Sequence, residues 1–152
     1  MKIRQAKEDD AETVGSLVHR LLVELTEGEG PAKSRDEMAA TAAEVLGDGA
    51  AAVGLLAEND EGEAVGLLML SASVAIYAGG VFGEITELYI DPRYRSSGLG
   101  ATMIEAAERV ARERGWPRLE VGAPDVPRWQ RTVDFYTRYG FVQVGPRLKL
   151  ML

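Results

Sequence analysis

The chain has 152 residues, a hydrophobic fraction of 46%, a charged fraction of 27%, no cysteine and a net charge of −7. This suits one globular domain, residues 1–152, with its own core, and the lack of cysteine excludes a disulfide framework, a thiolate zinc site and a cysteine nucleophile. The acidic balance argues against nucleic acid, which needs a basic face, and suits a cationic small substrate.

In chain order, Lys2 to Ala6 reads as a short first strand. The opening residues lack the apolar core of a signal peptide, and no apolar run is long enough for a bilayer. A cytoplasmic protein with no membrane partner is therefore expected. Asp9 and Asp10 are candidate N-caps for a helix whose stripe is Val14, Leu17, Val18, Leu21, Leu22 and Leu25. Gly28-Glu29-Gly30-Pro31 breaks it. Ser34-Arg35-Asp36-Glu37 is a capping box, opening a second helix expected to bury Met38, Ala42, Val45 and Leu46. The apolar runs Ala51–Ala57 and Ala64–Ser73 flank the turn Asn59-Asp60-Glu61-Gly62. Ile76–Gly80 then turns into a third run, so three strands form an antiparallel meander.

That third run, Ile85–Ile90, organises the chain. It is followed by the turn Asp91-Pro92-Arg93-Tyr94 and the loop Arg95-Ser96-Ser97-Gly98-Leu99-Gly100. A helix then carries Leu99, Met103, Ala106, Ala107 and Val110 at helical spacing. A helix N-terminus after a glycine loop offers unpaired N–H groups and a dipole that favours an anion. Gly98 and Gly100 let a phosphate approach the backbone, although a tight turn and close helix packing would ask for the same glycines. Arg95 can add a guanidinium. The dinucleotide and ATP-loop patterns both fail here. Beyond Gly115 and Pro117, Leu119–Val121 reads as a strand parallel to the organising one, because a helix crosses between them. Arg128–Tyr139 reads as the last helix, and Phe141–Val144 with Leu148–Leu150 as a terminal hairpin.

The run Ile90-Asp-Pro-x-x-Arg95-x-x-Gly98-x-Gly100 resembles the acyl-coenzyme A loop of the GCN5-related N-acetyltransferases (GNAT). The element order matches that family along essentially the whole chain. The resemblance implies an α/β fold, a mixed, mostly antiparallel central sheet with helices on both faces. It also implies acetyl-coenzyme A (acetyl-CoA) as cosubstrate and a small-molecule or peptidic amine as acceptor, and it leaves a homodimer open. The coenzyme is then expected on Arg95 and the backbone of Ser96, Ser97, Gly98, Leu99, Gly100 and Ala101. The family also implies that the strand opens near Leu88 and Ile90, freeing backbone groups for the thioester oxygen and the pantetheine arm.

Acetyl transfer to an amine needs a neutral nucleophile, although a lysine-like amine has a pKa of about 10.4. It also needs a donor for the developing oxyanion and a proton for the departing thiolate. By family position Glu84 is the expected base and Glu87 an acceptor contact, though strict alternation puts them on opposite faces unless a bulge intervenes. Tyr136, followed after three residues by Gly140-Phe141, matches the family's late motif and is the expected general acid. Trp129 stands where many members carry a coenzyme-contacting asparagine. His19 is the only histidine and reads as structural, so no metal is expected. Asp91 and Asp125 read as turn residues, while Trp129, Tyr77 and Tyr89 fit either an acceptor pocket or plain packing. The alternative to an enzyme is a non-catalytic acyl-CoA-binding sensor.

Overall fold

Strands buried on both faces carry near-continuous apolar runs rather than alternation, and the two runs after the second helix are of this kind. In the computed structural model, which describes residues 1–152, they form β2 (Ala52–Glu58) and β3 (Ala64–Ala75). They pair antiparallel at the centre of a five-stranded sheet. Neighbouring residues on each strand serve opposite cores. Leu55, Leu68 and Leu70 face one, while Leu56, Leu67 and Met69 face the other.

The sheet order is β1-β2-β3-β4-β5, with β1 at Lys2–Gln5, β4 at Gly80–Ile90 and β5 at Leu119–Val121. The first four strands pair antiparallel, and β5 lies parallel to β4. Helices α1 (Ala11–Leu25) and α2 (Arg35–Gly47) cover one face. Helices α3 (Leu99–Glu113) and α4 (Gln130–Tyr139) cover the other. The expected meander, parallel crossover and two-sided layering are all present. No helix is long and apolar enough to cross a membrane.

Local signals explain most boundaries. At the start of α2, Ser34 Oγ accepts from the Glu37 N–H at 3.2 Å and Glu37 Oε2 accepts from the Ser34 N–H at 2.7 Å, a complete capping box. Asp10 stands at the N-cap position of α1 without capping it. Its carboxylate accepts from the Lys7 N–H at 2.8 Å and takes two 2.8 Å bonds from Arg4, tying the helix entry to β1. Gly15 lets α1 and α2 cross closely, since a Cβ there would lie 2.6 Å from the Ala39 nitrogen.

Two expectations need correction. Val45 is 37% exposed. The buried face of α2 is centred on Met38, Ala39 and Ala42, leaving Val45 on its shoulder. The terminal hairpin does not form. Residues 141–152 hold no strand, and Leu148 and Leu150 are 96% and 85% exposed. A two-stranded hairpin has little stability alone, and β5 is only three residues long.

Candidate functional site

β5 pairs with β4 only from Gly83 to Ile85. Beyond Ile85 the two strands part. A cavity of about 900 Å³ fills the gap, walled by β4, the loop after it, the 121–124 segment, α4 and the end of α1. It sits outside the carboxyl ends of a parallel strand pair, where open α/β sheets place ligands. The Asp91 N–H donates to Val65 O on β3 at 2.9 Å. Since successive backbone groups of a strand alternate in direction, those of Leu88 and Ile90 point away from β3 and into the gap. The expected opening of the strand at these two residues is therefore present.

The glycine loop forms the floor. Gly98 has φ +88°, with open space where a side chain would stand. No side chain caps α3, and its first intrahelical bond runs from the Thr102 N–H to Gly98 O at 3.1 Å, so the N–H groups of Leu99, Gly100 and Ala101 lack helical partners. Gly100 serves packing as well, because a Cβ there would meet the Phe135 ring at 3.2 Å. Ser96, unusually for a non-glycine residue, holds φ +64°. Arg95, Ser96, Gly98, Gly100 and Ala101 line the cavity. The side chains of Ser97 and Leu99 do not. Ser97 Oγ donates to Tyr94 O at 2.6 Å, and Leu99 is buried in the core. Asp91 holds the preceding turn through bonds to Arg93, which keep its carboxyl well below the usual range, at about 2.

Arg95 is already engaged. Its Nε donates to Ile90 O at 2.8 Å, and its Nη2 lies 2.8 Å from both carboxylate oxygens of Glu24 near the end of α1. Tyr136 lines the cavity from α4, between Phe135 and Phe141. Burial pushes its hydroxyl up to about 12, so the phenol holds its proton throughout the neutral range.

The two strand carboxylates share one face. Met69 pairs with Glu87 and Leu70 with Ile85, so Thr86 is an extra residue without a partner on β3. This bulge puts Glu84 and Glu87 on the side of Met69 and Tyr89, facing the α1–α2 layer, where strict alternation would have divided them. Glu84 accepts from Ser73 Oγ at 3.0 Å and is ion-paired with Arg147 of the C-terminal segment. Glu87 accepts from the Thr86 hydroxyl, and burial raises its pKa. Thr86 itself lines the cavity, whereas neither glutamate does.

Trp129 and Tyr89 are wall residues, but Tyr77 stands in the exposed β3–β4 turn, under Arg118. His19 lies on α1, and no group of three or more His, Asp or Glu residues is placed to hold a metal. Sequence reasoning missed Glu24, Arg128 and Arg131. The spacing of Arg131, Phe135 and Arg138 along α4 was the available signal that this face looks into the cavity.

No curated protein matches the chain by sequence. Solved structures do match it. The ribosomal-protein-alanine N-acetyltransferase from Brucella melitensis biovar Abortus 2308 is 20% identical, aligns over 100% of both chains and has a TM-score of 0.76. A predicted acetyltransferase from Clostridium acetobutylicum, solved with acetyl-CoA, is 21% identical over 99% of this chain and 95% of that one, with a TM-score of 0.80. Aminoglycoside N-acetyltransferase AAC(6')-Iy, solved with CoA, is 18% identical over 99% and 93%, with a TM-score of 0.80. These likenesses show the fold. Residues 17–141 match the Acetyltransferase (GNAT) family profile, a span that holds the bulged strand, the glycine loop and α4. The chain therefore belongs to the acetyltransferase (GNAT) family.

Proposed function

We propose that the protein is an acetyl-CoA-dependent N-acetyltransferase, with residues 1–152 acting as one catalytic domain on a primary amine of a small molecule or peptide. The observation that carries this reading is the cleft between β4 and β5, with the unpaired N–H groups of the α3 N-terminus at one end and Tyr136 in its wall. These groups fit a pyrophosphate joined to a long thioester arm: fixed donors for the anion and an open strand edge for the amides. Bound acetyl-CoA supplies the activated acetyl group.

The chain's own groups then have distinct tasks. The N–H groups of Leu88 and Ile90 hold the arm, and one of them meets the thioester oxygen as charge develops there. Glu84, acting through water, takes the proton that the attacking amine loses, and Glu87 contacts the acceptor. As the nitrogen–carbon bond forms and the carbon–sulfur bond breaks, Tyr136 passes its proton to sulfur. With a pKa of about 12, that hydroxyl is in the donor form at every working pH. Holding the two reactants side by side supplies much of the rate. Of the solved neighbours named above, one is a ribosomal-protein-alanine and another an aminoglycoside N-acetyltransferase, so the fold alone does not choose the acceptor. A cytoplasmic setting suits the use of acetyl-CoA.

A second reading, a non-catalytic acyl-CoA sensor, draws on the Glu84–Arg147 ion pair and on the placing of both glutamates outside the cavity lining. Thiol release from acetyl-CoA across a panel of amines separates the two. The enzyme reading expects amine-dependent release. Tyr136→Phe should lower kcat tenfold or more with little change in coenzyme affinity. Glu84→Gln should be most impaired at low pH and recover as pH approaches the amine's pKa. Coenzyme binding without release for any amine would support the sensor.

A further inference from the structure

Four arginines and one glutamate line the cleft: Arg95, Arg128, Arg131, Arg138 and Glu24. In a chain of net charge −7 this is a local excess of positive charge, and the four guanidiniums are not equivalent. Arg95 is held by Glu24 in two 2.8 Å bonds. Arg128 is paired with Glu27 at 2.5 Å and lies over the Trp129 ring. Arg131, in the first turn of α4, has no carboxylate partner. Asp134, the acidic residue on the same helix, accepts from Gln130 instead. The Arg131 side chain donates from Nη2 to Ser96 Oγ at 2.9 Å. Arg138 lies two turns further along α4, about 10 Å by helical rise.

Arg131 therefore holds an unneutralised guanidinium against the first residue of the glycine loop that departs from ordinary backbone geometry. Ser96 and Arg131 both line the cleft, beside the unpaired N–H groups of α3. A neutral hydroxyl is a weak partner for a guanidinium, whereas a phosphate offers two charged oxygens in the spacing of its fork. Arg95 is placed differently. Two of its three nitrogens bond Ile90 O and Glu24, so that it fastens the loop to α1.

Building on the coenzyme reading above, we propose that Arg131 is the guanidinium that binds the phosphates of the coenzyme, while Arg95 positions the loop through Glu24. Helix α4 would thus contribute an ionic contact in a chain where Trp129 occupies the family's asparagine position.

Titration calorimetry with CoA, and with dephospho-CoA lacking the 3′-phosphate, tests this on the full chain. Arg131→Gln is expected to weaken CoA at least tenfold with its Tm unchanged, and Arg131→Lys to restore part of the loss by keeping the charge. Arg95→Gln is expected to lower the Tm and to weaken CoA less. A loss that persists with dephospho-CoA assigns the contact to the pyrophosphate, and a loss confined to CoA assigns it to the 3′-phosphate. Wild-type affinity in Arg131→Gln overturns the proposal. So does an Arg95→Gln variant that loses as much affinity with an unchanged Tm. If the wild type itself fails to bind CoA, the coenzyme reading has failed, and this assignment with it.

Discussion

Thr86 interrupts the β3–β4 ladder, and through it the side chains of Glu84 and Glu87 come to one face of the sheet. A single inserted residue leaves no composition or periodicity signal, so the sequence predicted opposite faces. The same residue accounts for the setting of Glu87, which it hydrogen-bonds directly. Burial raises the Glu87 pKa above its ordinary value, so folding disfavours the ionised form. At pH 3 the group is protonated in both folded and unfolded chains, and there is no penalty. The penalty grows as pH rises through the unfolded value and is complete above the folded one. Glu87→Gln should therefore raise the Tm at pH 7, with the gain vanishing near pH 3 in scanning calorimetry. A lower Tm at pH 7 would mean that the carboxylate's bonds outweigh its desolvation. Asp91 carries the opposite sign. Its lowered pKa adds stability above the ordinary carboxyl value, which is lost as pH falls toward about 2.

At the level of elements, what could be read from the chain was what is encoded locally. The Ser34–Glu37 box and the two apolar runs around Asn59-Asp60-Glu61-Gly62 each rest on neighbours in sequence, and all form as expected. The terminal hairpin was misread because alternating apolar residues at 141–150 specify a strand only if an edge receives it. The parting of β4 from β5 is likewise a property of two strands and the helix between them. The pairing that precedes it begins at Gly83. A Cβ there would lie 2.5 Å from both Leu119 Cδ2 and Trp116 Cε3. Gly83→Ala should cost about 1–3 kcal/mol through overpacking and lower the Tm by several degrees in thermal unfolding. An unchanged Tm would show that Trp116 and Leu119 can yield. Because the substitution pushes β5 outward, it should also weaken coenzyme binding.

Across the whole molecule, two cores clamp the sheet from both sides, and the sheet opens where β4 and β5 part. The loop residues of the site were legible because strand, glycines and helix start lie in one short stretch. Glu24 and Arg131 were not, because they come from α1 and α4, 71 and 35 residues from their partners Arg95 and Ser96. The central claim is that this gap holds acetyl-CoA with its phosphates against the start of α3. Gly98 tests it most directly. A Cβ added there would meet no protein atom within 4 Å, and Gly98 lines the cavity. Asparagine visits such left-handed backbone more readily than other side chains do, so the fold should tolerate it at this position. Calorimetric titration of acetyl-CoA into wild type and Gly98→Asn is the decisive measurement. One site is expected in the wild type, with at least a tenfold loss in a variant whose circular dichroism is unchanged. Equal affinity in the two proteins would contradict it.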